Sequence, residues 1–244
     1  MKEWITGRNP VYECLRANRR NYFRLLIGES VNKTSRVQEI FNIAKERGIR
    51  AESAARKDLE KIHRNNQGIA LETSAYPYSD IDSIFQKSKK SKEPFFLLIL
   101  DQIQDPQNFG TLIRSAELFG VHGIVMPSRR AAGITPAVVN ASSGASEHML
   151  ITQGNLAQAS ALIKEKNGWV IGLDMEKSSV PLGEVDWRGN LALIVGSEGT
   201  GLRRLVRESC DIIAHIPMSG TLDSLNAAVA GSIAIYTAAA QRNT

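Results

Sequence analysis

Residues 97–110 read Leu97-Leu-Ile-Leu-Asp-Gln-Ile-Gln-Asp-Pro-Gln-Asn-Phe-Gly110, a short apolar run that stops at a loop of acid, amide and Pro. A helix-like stretch follows. The same design recurs twice. Leu191–Val195 runs into Gly196-Ser-Glu-Gly-Thr-Gly201, and Ile212–Met218 runs into Ser219-Gly-Thr-Leu-Asp-Ser-Leu-Asn226. Short apolar runs alternating with helical patterns predict an α/β fold with a mostly parallel sheet, covered by helices on both faces. In such a sheet, ligands bind beyond the carboxyl ends of the strands, so three such loops meeting at one place make a site.

Strands are expected at 95–100, 123–126, 169–173, 191–195 and 212–216, and helices at 110–119, 157–166 and 224–240. Before this region, residues 1–72 read as a small α/β domain. It has helices near 9–16, 36–46 and 58–64 and strands at 23–28 and 68–72. Pro10 suits the first turn of its first helix. Residues 73–93 change character: Tyr76-Pro-Tyr-Ser and Gln86-Lys-Ser-Lys-Lys-Ser-Lys-Glu are polar and charged, so this stretch reads as a linker. The expected division is therefore 1–72, a linker at 73–93, and 94–244.

Composition narrows the function. The 244 residues are 43% hydrophobic and 23% charged, which suits a soluble globular protein. No apolar run approaches the roughly 20 residues of a membrane helix, and the first residues lack a signal-peptide core. Cys14 and Cys210 are the only cysteines, which gives no disulfide framework and points to a reducing cytoplasm. The four histidines are scattered without ligand spacing, so no metal is expected. Net charge is +5, but residues 1–75 carry 15 Lys/Arg against 9 Asp/Glu, while residues 94–244 carry 11 against 13. A polyanion would be drawn to the front domain, because counterion release drives such binding. A merely soluble basic surface has the same composition.

The loops lack G-x-G-x-x-G, G-x-x-x-x-G-K-[ST] and G-x-S-x-G, which removes the standard dinucleotide, phosphate-loop and nucleophile-elbow chemistries. What they hold is polar and Gly-rich. Asn108 precedes a helix carrying Arg114 and Glu117, which share a face. That pair is either a surface ion pair or, near a strand end, an anion site. Glu198 lies among Gly196, Gly199 and Gly201, whose backbone can approach a ligand closely. Its plain alternative is to cap a helix begun near Leu202. Ser224 or Asp223 would cap the last helix, which places Asn226 in its first turn.

Three segments carry a resemblance. Asp105-Pro-Gln-Asn-Phe-Gly-Thr-Leu-Ile-Arg-Ser-Ala-Glu-Leu-Phe-Gly120, Leu193–Leu202 and Ile216–Ala230 resemble, in order and spacing, the three motifs of the SpoU (TrmH) family of RNA ribose 2′-O-methyltransferases. At the front, Gly7-Arg-Asn-Pro-Val-Tyr-Glu-Cys-Leu and Asn66-Gln-Gly-Ile-Ala resemble the ribosomal-protein-like substrate-binding domain of the rRNA-acting members. Many relatives have His-Gln-Gly where this chain has Asn66-Gln67-Gly68.

The resemblance implies a deep trefoil knot, a homodimer through the C-terminal domain, and S-adenosylmethionine as methyl donor. It places the donor against Gly196, Ile216, Met218 and Leu225. It assigns the catalytic polar set to Arg114, Asn108, Glu198, Ser224 and Asn226. A guanidinium is not a base at working pH, so Arg114 is expected to hold a phosphate and stabilise the developing alkoxide. Glu198 or an RNA phosphate would then accept the proton. RNA contact is expected at Arg8, Asn9, Arg129 and Arg130. The implied substrate is a guanosine of the peptidyl-transferase loop in 23S rRNA. The alternatives are a tRNA methyltransferase or a catalytically inactive RNA-binding assembly protein.

Overall fold

The computed structural model describes residues 2–32, 34–128, 131–176, 178–199, 201–221 and 224–242. In chain order the elements are β1 (Lys2–Thr6), α1 (Arg8–Ala17), β2 (Tyr22–Gly28), α2 (Ser35–Glu46), β3 (Arg50–Ala54), α3 (Arg56–Ile62), β4 (Ile69–Ser74), α4 (Ile81–Ser91), β5 (Phe96–Leu100), α5 (Pro106–Leu118) and β6 (Gly123–Met126). There follow α6 (Pro136–Ala141), β7 (Ile151–Gln153), α7 (Leu156–Glu165), β8 (Trp169–Leu173), β9 (Val180–Pro181), β10 (Leu191–Val195), α8 (Arg204–Glu208), β11 (Ile212–His215) and α9 (Ala227–Arg242). The chain divides into two compact units: residues 1–77 with 133–148, and residues 78–132 with 149–244.

The first unit holds a four-stranded sheet in the order β1-β4-β2-β3, antiparallel except for the parallel β2/β3 pair. Ile5, Val11, Leu15, Leu25, Ile40, Ile69 and Leu71 are fully buried. Residues 133–148 return to this unit through a buried ion pair. Arg20 Nε and Nη2 donate to the two carboxylate oxygens of Glu147, each at 2.7 Å. Its Nη1 donates to the Ser74 carbonyl at 3.0 Å and also meets Glu3. Burial by itself lowers the Arg20 pKa, but the Glu147 carboxylate more than offsets it, and the guanidinium ends above its usual range. Close packing reinforces the attachment: a Cβ on Gly144 would lie 2.7 Å from Glu13 Cβ.

The second unit holds a seven-stranded sheet, β7-β6-β5-β10-β8-β11-β9, in which every neighbouring pair is parallel. All residues of β5 and β10 are buried, as their unbroken apolar sequences require of strands covered on both faces. The segment 73–93 contains α4, begun by Asp80, whose carboxylate accepts from the Ser83 amide at 2.7 Å. Its Ile84 and Phe85 enter the main core beside Phe95 and Ile99. Two apolar side chains and a cap suffice for this helix because the core supplies the rest of its stability. α5 starts earlier than its apolar pattern predicts, at Pro106, with Asp105 capping the Asn108 amide at 3.0 Å. Asn108 therefore lies inside the helix's first turn.

The buried Arg20–Glu147 pair generates a stability prediction. Glu147→Ala strands a buried guanidinium and is expected to cost about 3–5 kcal/mol in urea unfolding. Replacing both partners, Arg20→Met with Glu147→Leu, should recover most of that loss. Equal stability of Glu147→Ala and the parent would remove the pair from the account.

Candidate active site

Because all seven strands run parallel, their carboxyl ends share one edge of the sheet, and the loops after β5, β8, β10 and β11 open there. The loop after β10 is folded tightly on itself. The Gly201 amide donates to the Ser197 carbonyl at 3.1 Å. A Cβ on Gly196 would lie 2.4 Å from the Gly201 carbonyl, closer than any side chain tolerates. Gly201 has φ +62°, and its Cβ would meet both oxygens of Asp174 at 2.9 Å. Gly196 needs glycine for space, and Gly201 for space and backbone freedom together.

Two acids anchor this loop. Asp101, at the end of β5, is fully buried and accepts from the Arg203 amide at 2.9 Å and from Arg203 Nε at 2.7 Å. Asp174, at the end of β8, accepts from the Leu202 amide at 3.2 Å, the Met175 amide at 2.8 Å and Arg207 Nη2 at 2.5 Å. The hydrogen bond and charge of Asp174 raise the Arg207 guanidinium above its ordinary pKa. Neither acid stood out in the sequence, although each directly follows an apolar strand.

A chain of side-chain amides crosses the strand ends. Asn226 Oδ1 accepts from the Ala228 and Val229 amides at 2.9 and 3.2 Å, so Asn226 itself caps α9. This corrects the expectation that Ser224 or Asp223 would do so; Asp223 lies outside the described residues. The cap fixes the polarity of everything beyond it. With its oxygen committed to the helix, Asn226 must present Nδ2, which donates to Asn108 Oδ1 at 3.0 Å. Asn108 then presents its own Nδ2, which donates to Glu198 Oε2 at 3.3 Å. Glu198 is thus a side-chain partner across the site. It does not cap α8, whose N-cap is Arg203 with no side-chain cap bond.

Two cavities adjoin along this chain. One, of about 340 Å³, is lined by Gly196, Ile216, Met218, Ser224 and Leu225 together with Leu173, Asp174, Met175 and His215. The other, of about 330 Å³, is lined by Gln102, Ile103, Gln104, Asp105 and Asn108. Ser197, Glu198 and Ala227 belong to both walls. The structure so brings together Asn108, Glu198, Ser224, Asn226 and all four residues expected at the methyl donor. Arg114 is exposed on α5 and lines neither cavity.

In the first unit, Arg8 lines a separate cavity of about 580 Å³ with Arg56, Arg64 and the Asn66–Gly68 loop. Asn9 is exposed next to it in sequence. Arg129 and Arg130 lie outside the described residues. Asn66 is 7% exposed and shapes the loop: its Nδ2 donates to the His63 carbonyl at 2.8 Å and its Oδ1 accepts from the Gly68 amide at 2.7 Å. Among the described residues, no His, Cys, Asp and Glu side chains gather in a group that could hold a metal ion.

The sequence profile of the SpoU rRNA methylase family matches residues 95–236, the segment that builds both adjoining cavities. The chain belongs to the SpoU rRNA methylase family. A second profile, RNA 2′-O ribose methyltransferase substrate binding, matches residues 4–79. YacO of Bacillus subtilis, named for the TrmH family of tRNA/rRNA methyltransferases, is 37% identical over 99% of this chain and 96% of its own. The SpoU methyltransferase AviRb of Streptomyces viridochromogenes, solved with AdoMet, superposes with a TM-score of 0.81 at 24% identity, over 100% of this chain and 91% of that one. The TrmH/SpoU tRNA modifying enzyme of A. aeolicus has a TM-score of 0.56 at 25% identity, over 66% of this chain and 84% of that one. This SpoU-family chain is an RNA methyltransferase.

The glycine loop supplies the test of that geometry. Gly201→Ala forces a Cβ onto the Asp174 carboxylate at positive φ and is expected to destabilise the protein by about 1–3 kcal/mol. Thermal melting reads the change. A melt identical to the parent would show that the loop is not held against Asp174.

Proposed function

We propose that this protein transfers the methyl group of S-adenosylmethionine to a ribose 2′-hydroxyl of 23S rRNA, at a guanosine of the peptidyl-transferase loop. The observation that carries the reading is the pair of adjoining cavities that share the wall containing Glu198. A methyl transfer needs two reactants in line at one seam, and positioning alone supplies about 7–11 kcal/mol of barrier lowering. The cavity at Gly196 fits the donor. Its volume lies in the range of small-molecule sites, and its lining combines apolar Leu173, Met175, Ile216 and Met218 with closely approaching glycine backbone. When bound, S-adenosylmethionine supplies a methyl group already activated on a sulfonium.

The chain's own residues do the rest. The ribose hydroxyl enters from the side of Asn108, whose Nδ2 is held toward Glu198 by Asn226. Glu198 accepts the hydroxyl proton as the new O–C bond forms. Arg114 holds an RNA phosphate and stabilises the developing alkoxide, a task suited to a bidentate guanidinium.

Residues 1–72 are the RNA-binding domain in this reading, with Arg8 and Asn9 as contacts. Its 580 Å³ cavity gathers Arg8, Arg56 and Arg64, and the buried Arg8 Nε has no hydrogen-bond partner among the described residues. The A. aeolicus tRNA modifying enzyme aligns with only two thirds of this chain, which favours rRNA over tRNA. Homodimerisation through the C-terminal domain is supported by an apolar face on α9. Val229, Ile233 and Tyr236 follow helical spacing and are 46%, 38% and 59% exposed, and Tyr236 stacks edge-on against Phe119. The expected trefoil knot is supported by the interleaved strand order, with β10 entering between β5 and β8 and β11 between β8 and β9.

Two measurements test the reading. Asp is as good a cap as Asn but lacks the amide donor. Asn226→Asp should therefore keep the melting temperature while methyl transfer to rRNA falls at least tenfold. Glu198→Gln should lower the rate and alter its pH profile; an unchanged rate and profile in Glu198→Gln would exclude Glu198 as proton acceptor. Labelled methyl appearing in tRNA and not rRNA would replace the substrate. No incorporation into either RNA would leave a binding protein.

RNA affinity gives an independent check. Arg8→Ala and Arg64→Ala should each reduce the slope of log affinity against log salt by about 1, with donor binding unchanged. Parental slopes in both variants would take the front cavity out of the RNA interface.

A further inference from the structure

The 330 Å³ cavity has a wall that the reaction as described leaves unused. It is the loop 101–105, in which alternate residues are pinned. Asp101 is buried against Arg203, and its amide donates to the Val195 carbonyl at 2.8 Å. Ile103 is 4% exposed, and its carbonyl accepts from the Ala132 amide at 3.1 Å. Between and beside these anchors, Gln102 and Gln104 line the cavity together with Asn108 and Glu198. Among the described residues, neither glutamine amide is engaged in a hydrogen bond. Gln102 also sits at φ +62°, a left-handed backbone that a residue with a Cβ adopts reluctantly. A glycine would fit that backbone without penalty, so a glutamine there is the costlier choice and points to a use for its side chain.

We infer that Gln102 and Gln104 read the nucleobase of the target nucleotide. The assignment rests on the methyl-transfer reading above and specifies its substrate selection. A carboxamide offers an acceptor oxygen and donor hydrogens in one plane. A nucleobase offers an adjacent donor and acceptor along its hydrogen-bonding edge, and specific RNA recognition reads those edges on unstacked bases. The ribose of the reacting nucleotide is held at the Asn108–Glu198 seam, so its base faces the remaining wall of the same cavity. That wall ends in two amides on a backbone fixed on both sides. The fixed backbone sets where the two amides can reach, so less freedom is lost on binding than on a mobile loop.

The test uses the full-length protein and rRNA fragments identical except for the base at the methylated position. The kcat/KM of label transfer is measured for each base with the parent, Gln102→Gly, Gln102→Asn and Gln104→Ala. The parent should prefer one base. Gln102→Gly should lose about tenfold or more of that preference, while its melting temperature stays equal or rises as the left-handed backbone is relieved. Gln102→Asn, which tolerates the backbone but carries a shorter amide, should lose preference as well. Gln104→Ala should lose part of it. Parental discrimination in all three variants overturns the assignment and leaves the methyl-transfer reading standing. A parent that methylates all four bases equally also overturns it. A parent that methylates no RNA overturns both.

Discussion

The strand-end face of the seven-stranded sheet depends on two carboxylates placed on either side of the central strand β10. Asp101 ends β5 and Asp174 follows β8, the two neighbours of β10 in the sheet. Between them they bind the backbone amides of Leu202 and Arg203 and the guanidinium groups of Arg203 and Arg207. A Gly-rich loop leaving a buried strand has little side-chain surface of its own to hold it down. Its backbone donors need partners once they leave water. The acids provide those partners, and the arginines balance the charge that burial would otherwise penalise. The close folding of Gly196 on Gly201, and so the walls of both cavities, follows from this strap.

The second constraint is the direction of the amide chain. An Asn side chain can be turned either way, but a helix cap admits only its oxygen. Capping α9 with Asn226 therefore sets the orientation of Asn108 without any further device, and it aims an N–H at Glu198. One residue so caps a helix and orients a second side chain. The arrangement joins segments 118 residues apart at Asn226 and Asn108, and 90 apart at Asn108 and Glu198. Preorganised donors and acceptors of this kind are the usual source of electrostatic catalysis in positioned-group reactions.

Much of this was legible in the sequence, and the exceptions share a physical cause. The inner strands β2, β4, β5, β6, β8, β10 and β11 were readable because central strands need apolar side chains. The four strands that escaped, β1, β3, β7 and β9, are the edges of the two sheets. Edge strands carry charge and polarity, as in Lys2-Glu-Trp-Ile-Thr6 and Arg50-Ala-Glu-Ser-Ala54, or shrink to two or three residues. The return of residues 133–148 to the first unit was hidden for another reason. It turns on one buried ion pair between residues 127 apart, which leaves no periodic trace. Of the site, Asn108, Glu198, Ser224 and Asn226 were marked by motif and position. Asp101 and Asp174 were not, because a single acid after a strand is ordinary until its partners are known.

The central claim is that this site methylates a ribose oxygen and not a base. The most direct measurement is mass spectrometry of nucleosides from 23S rRNA incubated with the protein and isotopically labelled S-adenosylmethionine. The account predicts the label in 2′-O-methylguanosine at one position of the peptidyl-transferase loop. Label on a base atom, or none in the RNA, would contradict it.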